Sequence, residues 1–306
     1  MTIFYHPAYN IDLGFLNNFH PFDGTKFKKV FNSIQSLPEI NIVEPLYPVN
    51  QDTIDIYVDS LQQLLLHKKG YIVKALEVPF LSFIPFSWIQ KKILLPMRWG
   101  VSGTIEASRK ALIEKQTCWN ISGGYHHASR GSSEGFCIYN DIGIAVDTLR
   151  NEKLLMESDN ILIVDIDAHH GNGNAYTFYD DSNVTLFDIY NKDIYPTNKF
   201  TRNRINIGIP VSNGIKGQNY LRALKDGLAL IKDTFSLAFI VAGTDVLTSD
   251  PLGGMKLSLD DCLERDKLVF NKMKELAIPA VFLSGGGYSS KSAVAMINGI
   301  KNLYQL

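Results

Sequence analysis

Cysteine is scarce in this 306-residue chain: Cys118, Cys137 and Cys262 are odd in number, widely spaced and form no Cys-x-x-Cys pair. That excludes a disulfide framework and points to reduced thiols in a cytosol-like, cytoplasmic compartment, with a nuclear or other destination left open. Long apolar runs are missing as well. The most apolar stretch, residues 78–89, is interrupted by Pro79 and Pro85 and falls short of the roughly 20 residues that a membrane-spanning helix needs. Its plain reading is an irregular core segment; its functional reading is a greasy wall near a ligand. The first residues, Met1 to Pro7, lack a basic segment followed by an apolar one, so a conventional secretory signal is not expected. There is no excess of positive charge. The formal net charge is -1, and Lys26-Phe27-Lys28-Lys29 and Lys91-Lys92 are too short to make a basic stripe, so they read as solvated helix faces and direct nucleic-acid binding is not expected. Repeats and low-complexity linkers are absent, and no Lys-Ser/Thr follows Gly285-Gly286-Gly287 as a phosphate-binding loop would require.

What remains is 45% hydrophobic, enough for a substantial core in one α/β domain spanning residues 1–306. Short aliphatic runs at 161–166, 184–189, 237–242 and 280–284 read as strands. Amphipathic segments at 102–115, 141–150, 218–235, 259–276 and 291–303 read as helices. Such alternation predicts a mostly parallel sheet with helices on both faces. Ligands bind such sheets outside the carboxyl ends of the strands.

The ionisable residues obey that rule. Asp165, Asp167 and His169 close one strand at i, i+2 and i+4, so an extended chain directs all three to one side. His126-His127 follow the apolar run ending at Ile121, Thr244-Asp245 follow another run, and Gly285 to Tyr288 follow a fourth. Four sets at one edge imply a shared pocket. The glycines at 123–124, 253–254 and 285–287 permit the close backbone approach that a crowded site demands. A hydrolytic metal centre needs an open-coordinated ion and nearby imidazoles that move protons near neutral pH, and these clusters supply both.

These segments also carry a family resemblance. GGYHHA (123–128), EGFCIYNDI (134–142), DIDAHHGNG (165–173), AGTDVLTSDPLGG (242–254) and SGGGY (284–288) resemble, in this order, the metal-dependent histone deacetylases. HPFDGTKF (20–27), the apolar stretch continuing to Arg98, DIYNKDIYP (188–196) and RDKLVF (265–270) resemble the class IV branch. The resemblance implies the arginase-deacetylase fold, one α/β domain built on a parallel sheet of about eight strands with helices on both faces. It implies Asp167, His169 and Asp245 as ligands of zinc, with ferrous iron or cobalt as alternatives for so hard a donor set. His127 resembles the proton-transferring base, His126 with Asp165 its electrostatic partner, and Tyr288 the phenol that stabilises the oxyanion. Gly135, Phe136, Tyr195 and Gly286 resemble the lining of a substrate tunnel, and Asp188 with nearby carbonyls a structural potassium site. Where class I enzymes carry an aspartate behind the base, this chain has Asn172, a neutral amide that orients His127 without stabilising an imidazolium.

The implied activity is removal of acyl groups, acetyl and long-chain fatty acyl, from lysine side chains of a protein or peptide. The long-chain preference is attached to Phe80, Phe83 and Phe86. A small-molecule amidohydrolase acting on acetylpolyamines is the alternative, marked by acidic residues at the tunnel mouth. His170 and Cys137 read as packing residues, the latter because a metal-water mechanism needs no thiol.

Overall fold

The aliphatic runs become the middle of a single sheet. In the computed structural model, which describes residues 1–14 and 22–303, the strands are β1 (Thr2–Phe4), β2 (Asn41–Val43), β3 (Thr117–Asn120), β4 (Ile161–Asp165), β5 (Val184–Asn191), β6 (Ile207–Val211), β7 (Leu237–Val241) and β8 (Ala280–Leu283). They pair in the order β2-β1-β3-β8-β7-β4-β5-β6, every pair parallel. β4, β7 and β8 are buried along their whole length, which is why their sequences are apolar runs without alternation. Leu237, Phe239 and Val241 of β7 pack into one core with Ile142 and Val146, whereas Ala238 and Ile240 pack into the opposite core with Leu224 and Val269. Helices thus cover both faces, as the alternation of segments implies.

The strands missing from the sequence reading lie toward the edges. β1 and β2 have three residues each, and β6 carries Gly208 and Pro210 with only alternate burial. Proline lacks an N–H for a central ladder and is tolerated at a sheet edge, so this composition hides the strand. The helix expected at 102–115 begins earlier, at Leu95, with Pro96 in its first turn, and ends where Lys115 turns left-handed at φ 50°. The helix expected at 218–235 stops at Leu228, because the chain must return to the sheet, where Ser236 donates to the carbonyl of Asn160 before β7.

One expectation is overturned. Lys26 is not solvated: it is fully buried at the start of the helix Lys26–Ile34, on the face it shares with Phe27, Val30 and Ile34. Its Nζ lies 3.4 Å from the carbonyl of Gly287 and 4.7 Å from the centre of the Phe22 ring. Burial pulls the ammonium pKa down to about 8 against the pull of Asp245 and Asp167 in the opposite sense. The neighbouring cations draw the eye, but position on the helix decides which of them enters the core.

A second buried cation ties the strand ends together. Arg265, on the helix Leu259–Glu275, has no exposed surface. Its guanidinium donates to the carbonyls of Ile166 and Gly243, which follow β4 and β7, and to Asp266 at 2.7 Å. Those strand ends carry Asp167 and Asp245. Arg265→Leu would leave Asp266 and two carbonyls unpaired, and breaking such a buried pair costs about 3–5 kcal/mol. Urea denaturation should register that loss; a change below about 1 kcal/mol, the worth of an ordinary hydrogen bond, would show that the strand ends stand without this strap.

Candidate active site

The polar turns after β3, β4, β7 and β8 converge on one cavity of about 110 Å³, lined at its polar end by His126, His127, Asp167, His169, Asp245, Gly286 and Tyr288. The backbone approaches the carboxylates closely. Gly286 donates its N–H to Asp167 at 2.8 Å, and a Cβ there would lie 2.5 Å from an oxygen of Asp245. Only glycine fits this turn.

Asp167, His169 and Asp245 each offer a ligand atom, all within 4.8 Å of one another. Nδ1 of His169 lies 2.8 Å from Asp245 and 3.2 Å from Asp167. Backbone N–H groups of His169 and Ala168 hold the two carboxylates in place at 2.9 Å each. Both aspartates are fully buried, and burial together with the charge of Asp167 pushes the Asp245 carboxyl up to about 7. Two buried carboxylates facing one imidazole are under-neutralised, and a divalent cation fits both the charge and the donor set.

The two histidines of the doublet have opposite electrostatics. His126 places Nδ1 2.7 Å from Asp165; burial opposes its charging, but Asp165 and Asp167 outweigh burial and hold its pKa up at about 9. His127 is driven well below the usual histidine range by burial and by the charges of His126 and His169. Its Nδ1 lies 2.7 Å from Oδ1 of Asn172, the contact expected from the sequence. Near neutrality His126 therefore carries a proton and His127 has a free lone pair.

Residues outside the expected set hold this arrangement. Asp141, buried at the start of the helix Asp141–Asn151, accepts from the N–H groups of Gly124 and Tyr125 and from the hydroxyl of Thr104, which pins the turn bearing the histidines. Asp250 accepts from the N–H groups of Tyr288 at 2.7 Å and Ser289 at 3.1 Å, anchoring the turn that presents the phenol. Both lie inside the quoted motifs, and that was the only available signal. Glu134, also in a motif, accepts from Asn172 Nδ2 at 2.6 Å and from the Tyr195 hydroxyl at 2.8 Å.

The expected tunnel residues divide. Gly135 and Phe136 line the cavity, with the Phe136 ring 5.6 Å from that of Tyr288. Gly135 adopts φ 55°, and a Cβ there would come within 2.5 Å of the His127 ring. Tyr195 sits outside at the rim, 42% exposed, with its ring 5.4 Å from that of His127. His170 packs as expected, bonded to Asp188 and Thr201 at 2.6 and 2.9 Å. Cys137 is buried at the cavity wall, and burial raises its thiol pKa, away from nucleophilic reactivity. Of the 78–89 stretch, Val78 and Leu81 line the apolar end of the cavity together with Leu76, Ile93 and Met97. Phe80, Phe83 and Phe86 do not line it, and Phe83 is 88% exposed, because the short helix Pro79–Phe83 turns its Leu81 face inward. His20 and Pro21 of the HPFDGTKF motif lie outside the described residues.

Comparison with known proteins agrees with this geometry. A profile of the histone deacetylase domain matches residues 20–301. Histone deacetylase 2 of Arabidopsis thaliana is 34% identical over 308 aligned positions, covering 99% of this chain and 78% of its own length. An uncharacterized protein of Picosynechococcus is 34% identical over 65% of this chain and 68% of its own. The acetoin utilization protein AcuC of Staphylococcus aureus is 30% identical over 55% of this chain and 45% of its own.

Stripped protein should take up one equivalent of zinc in calorimetric titration, and Asp167→Asn, His169→Ala and Asp245→Asn should each weaken uptake by at least about 100-fold, because only two protein ligands remain. Tight, stoichiometric uptake by the Asp245 variant would remove it from the ligand set.

Proposed function

The chain belongs to the histone deacetylase family, and from that premise we propose that it is a zinc-dependent hydrolase removing acyl groups, acetyl and long-chain fatty acyl, from lysine side chains of proteins in the manner of the class IV branch. One observation carries the reading: the Asp167, His169 and Asp245 cluster, the neutral His127 and the Tyr288 phenol all line one cavity. Asp167, His169 and Asp245 would hold the ion, with ferrous iron or cobalt suiting the same donors. When bound, the ion supplies Lewis acidity toward an amide carbonyl and its attacking water. His127 takes a proton from that water at Nε2 and delivers one to the departing lysine amine. His126, kept charged by Asp165, and Asn172 orient and tune it. Tyr288 donates a hydrogen bond to the carbonyl oxygen as charge develops there, and burial keeps its phenol protonated. Gly135, Phe136 and Gly286 wall the passage for the lysine stem, and Tyr195 flanks its mouth.

A structural potassium ion belongs to the same proposal. Asp188 is buried, its Oδ2 accepts from His170 and Gly171, and its Oδ1 has no hydrogen-bond partner among the described residues. An oxygen so placed suits a monovalent cation shared with the carbonyls near Asp165 to His169. Residues 1–306 act as one catalytic domain, and the three buried free thiols support a cytosol-like setting. No helix among the described residues is long and apolar enough to cross a membrane.

The apolar end of the cavity supports the long-chain preference. Each methylene buried among Leu76, Val78, Leu81, Ile93 and Met97 contributes up to about 0.8 kcal/mol. The carboxylates of Glu77 and Glu134, close enough that the charge of Glu134 helps raise the Glu77 pKa, favour the rival reading of a cationic small molecule such as an acetylpolyamine.

Zinc-loaded enzyme given acetyl-lysine peptide, the matched myristoyl-lysine peptide and acetylspermidine discriminates these readings. Myristoyl should give the highest kcat/KM, mainly through KM, since the chain binds ground and transition states alike. Leu81→Asn and Met97→Gln should erase that advantage while sparing acetyl turnover. Acetyl equal to myristoyl would end the long-chain claim, and acetylspermidine above both peptides would end the protein-substrate claim. Tyr288→Phe should keep zinc and lose turnover by about 100- to 1000-fold; near-normal turnover would dismiss the phenol from the reaction.

A further inference from the structure

The hydrogen bonds around His127 continue outward beyond Asn172. Oδ1 of Asn172 lies 2.7 Å from His127 Nδ1, its Nδ2 lies 2.6 Å from one oxygen of Glu134, and the other oxygen of Glu134 receives the Tyr195 hydroxyl at 2.8 Å. Asn172 is buried and Glu134 is half-buried. The loop that carries Glu134 is firmly held: Glu134 and Cys137 exchange backbone hydrogen bonds at 3.1 and 2.9 Å, and the N–H of Phe136 donates to Ala75 at 3.0 Å.

The chemistry of this chain decides a proton position that Asn172 alone leaves open. An asparagine amide has an accepting end and a donating end of nearly equal size, and it can present either one to an imidazole nitrogen. If the oxygen faces Nδ1, neutral His127 must carry its proton on Nδ1 and bear a lone pair on Nε2. If the amide turns over, Nδ1 becomes the acceptor and the proton moves to Nε2, where it abolishes basicity toward the reaction centre. An ionised carboxylate only accepts, so the Asn172 atom facing Glu134 has to be the NH2 group. Turning the amide would set its carbonyl oxygen against that carboxylate at hydrogen-bond distance, which is strongly repulsive.

We propose that Glu134 is a positioning residue: by fixing the amide orientation of Asn172, and itself braced by Tyr195, it sets His127 in the Nδ1–H tautomer that leaves Nε2 free to act as base. The role rests on the reading of His127 given above, yet the tautomer exists whether or not the enzyme acts on any given substrate. The arrangement keeps a carboxylate's directional control over the imidazole while interposing a neutral group. His127 thereby escapes the direct contact with an anion that keeps neighbouring His126 charged. Tyr195, expected from the sequence as a tunnel wall, gains a second duty at the outer end of the chain of bonds.

The test uses the zinc-loaded full-length enzyme. Long-range proton–nitrogen NMR of histidine-labelled protein distinguishes a protonated from a bare ring nitrogen, and His127→Gln identifies the signal. In the unaltered protein His127 should show a protonated Nδ1 and a bare Nε2. Glu134→Leu should shift this toward a protonated Nε2 and lower kcat by about 10- to 100-fold, the usual cost of losing a group that orients a functional histidine. KM and zinc content should stay within about twofold. Glu134→Gln, which still offers Oε1 to Asn172, should restore most of kcat. The sharpest comparison is a swap. Asn172→Asp alone sets carboxylate against carboxylate and should be impaired. Asn172→Asp combined with Glu134→Gln re-forms all three hydrogen bonds with donor and acceptor exchanged only between positions 134 and 172, so His127 Nδ1–H still donates, and should recover at least about tenfold in kcat. An unchanged His127 spectrum in Glu134→Leu, or a double variant no better than Asn172→Asp, would overturn the proposal. Should the leucine variant not fold, the swap and the glutamine variant decide it. A protein that shows the Nδ1–H tautomer and its dependence on Glu134 but hydrolyses none of the acyl substrates would overturn the functional reading and leave this one standing.

Discussion

Negative charge held out of water governs the architecture at the carboxyl edge of the sheet. Asp141, Asp165, Asp167, Asp188, Asp245 and Asp266 are all at most 3% exposed. An unpaired carboxylate in such surroundings is unsustainable, so each requires partners of opposite charge or donated hydrogen bonds. Asp266 has Arg265, Asp165 has His126, Asp188 has His170, and Asp141 has two backbone N–H groups and a threonine hydroxyl. Asp167 and Asp245 accept three backbone N–H groups, but among the described residues they share a single imidazole, His169, as the side chain within hydrogen-bond reach of both. The pair left short of positive charge is the pair that faces the cavity, and the same imbalance that would destabilise a closed core makes a cation site here.

Support for that edge comes from buried groups on several helices and turns. Arg265 secures the carbonyls following β4 and β7, Asp250 the turn that presents Tyr288, and Lys26 the carbonyl of Gly287 in the same turn. Precision of this kind cannot come from exposed loops alone, since the polar groups of an active site must be held to within a fraction of an ångström to act together. Glycine at 135 and 286 allows the remaining approach, where any side chain would collide with His127 or Asp245.

Much of this was legible in the linear chain. Buried strands such as β4, β7 and β8 announce themselves as aliphatic runs, and the polar residues just beyond them fall together once the strands are parallel. The extended i, i+2, i+4 reading of 165, 167 and 169 does not hold: β4 ends at Asp165, which faces His126, and the chain bends at 167–169 to bring Asp167 and His169 to Asp245. Edge strands were not legible, since three-residue β1 and β2 and the glycine- and proline-containing β6 resemble loops. The burial of Lys26 is not legible, because a run of cations says nothing about which of them faces inward. Which residues of the 78–89 stretch reach the cavity is not legible either, because apolar composition does not tell a cavity wall from a surface, and the helical turn there presents Leu81 to the cavity while Phe83 meets solvent.

By itself, then, the sequence determined the parallel α/β class, the edge at which the chemistry gathers and the identity of the groups gathered there, because these follow from local periodicity and from residue types within short motifs. Only tertiary structure decided which partners complete them. Glu134 reaches Asn172 across 38 residues, Asp250 reaches the Tyr288 turn across 38, and Arg265 reaches the strand end at Ile166 across 99. Such contacts depend on how distant segments pack, and hydrogen-bond direction and desolvation, which set the charge of His126 and the neutrality of His127, exist only once those segments meet.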